Sequence, residues 1–105
     1  MIEKGSGNVY ADLGTPDADG MMRKAELTSK ISEIIQERGW TQTEAARILG
    51  MGQPKLSQML RGQFRGISES RMLDCLARLG RDVRIVIGPG RPDMRKGQVE
   101  VVLEA

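Results

Sequence analysis

Gln53, Lys55, Ser57, Gln58 and Arg61 fall within one stretch of nine residues and bring together two amides, a hydroxyl and two cations. A glutamine amide can bond adenine through two hydrogen bonds at once, and Lys or Arg can bond guanine, so this set suits reading base edges rather than making bonds. The spacing of the apolar residues between them says how they are presented. Leu56, Met59 and Leu60 recur at i, i+3 and i+4, which makes one buried stripe on a helix and turns the polar groups outward. Gln53 opens that helix. Pro54 sits in its first turn, where a missing N–H costs nothing, and Gly62 stops it.

A reading helix needs a second element behind it, and the preceding residues supply one. Thr41 can N-cap a helix, and Glu44 stands three residues on, which completes a capping box. Ala45, Ala46 and Leu49 give that helix a small apolar face, so it can cross closely behind its neighbour. Gly50-Met51-Gly52 breaks the pattern, and the first glycine can take the left-handed conformation that ends a helix. Residues 41–62 therefore read as a helix-turn-helix, whose second helix enters the major groove while the first lies over the backbone. An ordinary helical hairpin in a bundle is the other reading. It explains the alanines but not the polar outer side of the second helix.

Composition bounds what the chain can do. Its 105 residues fit one domain with a modest core, and the formal net charge is +2. The charge is uneven: residues 1–40 carry five basic against seven acidic side chains, residues 41–80 six against three, and residues 81–105 five against four. The basic excess lies on the proposed reader, as phosphate binding requires. One Cys and no His leave no disulfide framework and no His/Cys metal cluster, and no metal or other cofactor is expected. Without His, paired carboxylates or a phosphate-cradling loop, an enzyme is not expected either. No apolar run is long enough for a membrane span and no signal peptide is visible, so a cytoplasmic location is expected.

Residues 1–20 read as an N-terminal arm, rich in Gly, Asp and small polar groups, with Val9, Tyr10 and Leu13 as its notable apolar groups. It is either a loose leader or an arm that docks Tyr10 and Leu13 on a partner or the other subunit. Asp17 or Asp19 can start a long helix reaching about Arg38, with Leu27, Ile31, Ile34 and Ile35 as its stripe, Glu26–Lys30 as an i, i+4 ion pair and Gly39 as its end. Trp40 is expected to pack against the next helix. Phe64 and Ile67 look like core plugs under a loop. Arg61 and Arg65 flank the end of the reading helix, within reach of phosphates, although either alone could be solvated surface.

Ser68 caps a further helix whose buried face is Met72, Leu73, Leu76 and Leu79, with Cys75 packed on or beside it and Gly80 as its stop. Then the period changes. Val83, Ile85 and Ile87 alternate with Asp82, Arg84 and Val86, and Val99, Val101 and Leu103 alternate with Glu100 and Val102, so residues 82–87 and 98–103 read as two strands around a Gly/Pro loop. A lone hairpin is marginal in water, and its edge invites pairing. The strands of two subunits are therefore expected to meet, with Val83, Ile85, Ile87, Val99 and Val101 at the dimer contact.

The chain resembles the Cro and phage-repressor (XRE) class of helix-turn-helix proteins, through Thr41-Gln42, Glu44-Ala45-Ala46, Leu49-Gly50, Gln53-Pro54-Lys55, Ser57 and Leu60-Arg61-Gly62. Within that class it is similar to the HigA-like antitoxin branch, through GSGNVYADLGTPDADGMMRKAEL before the motif and LARLGRDVRIVI after it. The resemblance implies a mainly α fold: a four- to five-helix, lambda-repressor-like DNA-binding domain over residues 21–80. Residues 81–105 then follow as C-terminal β-strands for dimerisation. It implies base reading by Gln53 and Gln58, with Lys55 on a base or a phosphate, and backbone contact by Gln42 and Ser57; Thr41, Arg61 and Arg65 join the expected backbone contacts. Gln42 would hold a phosphate with help from the helix dipole. Pro54 stands where some members carry a second polar reader, which narrows direct readout. The implied partners are a palindromic double-stranded DNA operator, a second copy of the chain and a cognate toxin of the RelE/HigB-like mRNA endonuclease type. The alternative is a stand-alone regulator without a toxin.

Overall fold

The computed structural model describes residue 14 and residues 17–104. The expected arm, with Tyr10 and Leu13, lies almost wholly outside the described residues. The described residues form four helices in order: α1 (Ala18–Arg38), α2 (Gln42–Leu49), α3 (Gln53–Leu60) and α4 (Glu69–Arg78). Helix α1 packs across α4 and α3, while α2 packs on α3 and α4.

The core follows the expected stripes. Leu27, Ile31, Ile34 and Ile35 of α1 are buried with Ala45, Ala46 and Leu49 of α2, Leu56 and Met59 of α3, and Met72, Cys75 and Leu76 of α4. Phe64, Ile67 and Leu79 close it from the loops. Leu60 and Leu73, expected inside, are only partly buried at its rim, and Trp40 also packs there with the Arg38 guanidinium 5.5 Å from its ring centre. Burial pushes the Cys75 thiol upward, so it stays protonated and serves packing. The helical ion pair also differs from expectation: Lys30 meets Glu33 at 3.5 Å rather than Glu26. Both i, i+3 and i, i+4 neighbours are in reach on a helix, and the long lysine stem selects between them.

The local signals at the two-helix unit are realised atom by atom. The Glu44 N–H donates to Thr41 Oγ1 at 3.1 Å, and the Thr41 N–H donates to Glu44 Oε1 at 3.1 Å. Gly50 then adopts φ 65°, which lets its N–H reach the Arg47 carbonyl (3.3 Å) and the Met51 N–H reach the Ala46 carbonyl (3.1 Å). Orphan carbonyls at the end of α2 are thereby satisfied and the chain reverses in two residues. The other three helices end with the same pair of bonds at a glycine. Thr41→Ala removes half of the capping box and is expected to cost about 1 kcal/mol. A urea midpoint unchanged by that substitution would show that the box contributes nothing.

The C-terminal stretch departs from expectation. No strand forms among the described residues, so 82–87 and 98–103 have no ladder between them. They turn at residues 91–94, where the Met94 N–H donates to the Arg91 carbonyl at 3.0 Å, and Arg84 meets Glu104 at 3.1 Å. Two strands with no third have too few shared bonds and too little buried face to hold a ladder in one chain. The alternating side chains stand open on both limbs: Ile85 is 77% exposed, Ile87 87% and Val99 68%. Val101 differs, because it is half-buried against the chain's own core.

Candidate nucleic-acid interface

Helix α3 is pinned from behind. Leu56 and Met59 are fully buried, so the rotation of the helix about its axis is fixed. That rotation leaves Gln53, Pro54, Lys55, Gln58 and Arg61 exposed along one outer side, with Ser57 at its margin. The three residues expected to read bases, Gln53, Lys55 and Gln58, are thus brought to one face. Among the described residues, neither glutamine amide is engaged by another side chain. Both are free to bond a ligand.

The residues expected on the DNA backbone fall into two groups. Gln42 is exposed in the first turn of α2 and Arg65 is exposed in the loop after α3. The others are already engaged within the chain. Thr41 spends its hydroxyl on the capping box. Arg61 donates from Nη1 to Ser57 Oγ at 2.7 Å, an i, i+4 bond that holds both at the outer side of α3. Five N–H donors on the guanidinium leave Arg61 able to meet a phosphate without breaking it. Arg61→Ala and Arg65→Ala are each expected to weaken all duplexes alike and to lower the slope of log K against log salt by about one. A salt series on each variant checks this; an unchanged slope removes that residue from the phosphate contacts.

Two further basic residues reach this region without any sign in the sequence that sets them apart from solvated helix cations. Lys24 of α1 donates from Nζ to the Arg65 carbonyl at 3.0 Å and so fixes the loop that follows α3. Arg71 of α4 donates from Nη2 to the Gly50 carbonyl at 2.7 Å, across the turn between α2 and α3. Arg71 and Lys55 line one hollow of about 450 Å³ together with Gly52 and Ile67. Lys55, Arg61, Arg65 and Arg71 all belong to residues 41–80, the stretch that carries the basic excess.

A capped helix, a left-handed glycine turn and a second helix with a bonding outer face are now in place, and comparison with known proteins decides what they amount to. A family model described as a helix-turn-helix domain matches residues 9–88. The chain belongs to the helix-turn-helix domain family. A solved structure named as an XRE family transcriptional regulator has 32% sequence identity to this helix-turn-helix chain. That structure superposes with a TM-score of 0.73, and the match covers 86% of this chain and all of the other. No curated protein gives a match. Among the described residues of this family member, no helix is long and apolar enough to cross a membrane, and no three His, Cys, Asp or Glu side chains gather as a metal site would need.

Proposed function

We propose that the chain is a sequence-specific DNA-binding transcriptional regulator and that α3 is its reader. The observation that carries this is the exposed outer face of Gln53, Lys55, Gln58 and Arg61 on a helix whose back is locked by Leu56 and Met59. The solved relative's name as a transcriptional regulator supports it. Gln53 and Gln58 read adenines, Lys55 takes a guanine or a phosphate, and Gln42, Arg61 and Arg65 hold the backbone on either side. It acts in the cytoplasm, on the nucleoid when bound.

The regulator works as a dimer. Two readers about 34 Å apart meet the same face of the duplex and demand a palindrome. The open limbs 82–87 and 98–103 are the surface that supports this. Val83, Ile85, Ile87 and Val99 are exposed, and a second copy would supply the missing strands that a single chain lacks. Sedimentation at micromolar concentration tests it: the full chain is expected as a dimer and a chain ending before Asp82 as a monomer. Full dimerisation of the shorter chain would sink the paired-strand arrangement.

The operator is upstream of the chain's own reading frame, which makes it an autorepressor. Its partner is a toxin of the RelE/HigB-like mRNA endonuclease class, and the regulator is the antitoxin of that type II pair. The resemblance of residues 5–27 and 76–87 to HigA-like antitoxins supports this step. A stand-alone regulator is the competing reading, favoured by the relative's name, which mentions no toxin. Footprinting of the upstream DNA is expected to show two protected half-sites one helical turn apart. Co-expression with the neighbouring frame separates the two readings: a stable complex with a small basic protein supports the antitoxin, and a neighbour without affinity for the chain leaves the stand-alone regulator.

A further inference from the structure

Helix α4 presents a polar ridge to the turn that joins α2 and α3. Arg71, Asp74 and Arg78 are spaced i, i+3 and i+7, so they lie one above another on one side of α4. The Arg71 guanidinium donates to the Gly50 carbonyl at 2.7 Å. The Arg78 guanidinium lies beside the same glycine: a Cβ placed on Gly50 would stand 3.0 Å from Arg78 Nη1. Asp74 holds Arg78 there, through Arg78 Nε to Asp74 Oδ2 at 2.8 Å. The base of the ridge is itself fixed, since the Arg71 N–H donates to Ser68 Oγ at 3.1 Å, the N-cap of α4. A carbonyl in a left-handed turn between two helices is thus gripped by a side chain from a third helix.

We propose that Arg71 is a positioning residue for DNA reading, which sets the angle at which α3 leaves α2 by holding the Gly50 carbonyl, with the Asp74–Arg78 pair packed beside the same glycine. The inference rests on the reading of α3 as the base-reading helix. A charge-assisted bond at 2.7 Å is short and strong, and Gly50 is the pivot of the two-helix unit. Gln53 stands three residues beyond that pivot, so a small rotation there displaces its amide relative to a base edge. Base contacts depend on such placement, whereas phosphate contacts by long cations tolerate it. Losing the latch therefore reduces discrimination between sequences more than it reduces affinity for DNA as such.

The test uses the full-length chain and three variants, Arg71→Ala, Arg71→Met and Arg71→Lys. Each is titrated by anisotropy against the footprinted operator and a scrambled duplex across a salt series. Arg71→Met keeps the aliphatic stem and helix propensity while removing the donor, so it reports on the bond even where Arg71→Ala folds poorly. Both are expected to bind the operator about tenfold more weakly, the size of one charge-assisted hydrogen bond, with scrambled DNA changed by less than about twofold and the operator's salt slope unchanged. Arg71→Lys, which keeps a donor on a stem of similar reach, is expected to recover most of the discrimination. Equal weakening on both duplexes with a slope lower by about one would make Arg71 a phosphate contact and overturn the proposal. Wild-type discrimination in Arg71→Met would overturn it too. A wild-type chain that does not separate operator from scrambled DNA would instead remove the DNA-reading assignment beneath it.

Discussion

Replacing Leu56 by alanine is expected to destabilise the domain by about 2–5 kcal/mol. Leu56 is 0% exposed and lies on the inner side of α3, in the buried cluster to which each of the four described helices contributes. Truncation removes the transfer energy of the lost methyl and methylene groups and leaves a cavity that the short helices around it cannot fully close. The loss is large because a domain of this size has only about 5–15 kcal/mol in total. Urea unfolding followed by circular dichroism reads it directly, as a lower midpoint at an unchanged slope. A wild-type midpoint would mean that α3 is rotated about its axis, and then Gln53 and Gln58 would not share an outer face.

The second large effect is on recognition. Gln53→Ala and Gln58→Ala are each expected to cost about 1–3 kcal/mol against the preferred operator and to relax its sequence requirement at one position. Both side chains are exposed, so their removal is expected to leave stability within about 0.5 kcal/mol of wild type. This separates the two predictions: Leu56→Ala acts on the fold, and the glutamine variants act on binding alone. A binding-site selection with each variant shows which base each amide reads. Equal losses on operator and random DNA would mean that the amides touch only the backbone.

The two-helix unit was legible in the sequence because its determinants are local. A capping box needs only Thr41 and Glu44 at the right spacing, and the turn needs only Gly50 in a position that demands positive φ. The long stripe Leu27, Ile31, Ile34 and Ile35 was legible for the same reason, since periodicity alone assigns a buried face. The latch was not. Arg71 and Arg78 look in sequence like any solvated cations on an amphipathic helix, and only the packing of α4 against α2 brings them to Gly50. Lys24 and Arg65 are 41 residues apart, so no local pattern links them. The alternation in residues 82–87 and 98–103 was real as a pattern, yet period two describes a face that wants covering, not the strand that covers it. Val101 shows the difference within one segment: it turns to the chain's own core, while Ile85 and Ile87, of the same pattern, stay open.

Arg23 ties these observations to one point on α1. It donates from Nε and Nη2 to the two carboxylate oxygens of Glu69 at 3.0 and 3.2 Å, at the first residue of α4. Its Nη1 donates to the Val99 carbonyl at 3.3 Å. The bond to Glu69 holds the guanidinium protonated more firmly than usual. This attachment of the C-terminal segment therefore sits beside the start of the helix that grips the turn.

The measurement that tests the central claim most directly is the binding of the purified full-length chain to the DNA upstream of its own reading frame. Fluorescence anisotropy is recorded against a scrambled duplex of the same length and composition, from about 50 to 200 mM salt. The predicted result is tight binding to a palindromic site, at least about a thousandfold above the scrambled control, with both affinities falling as salt rises. Equal and weak binding to the two duplexes at every salt concentration would contradict the assignment of α3 as a reader of its own operator.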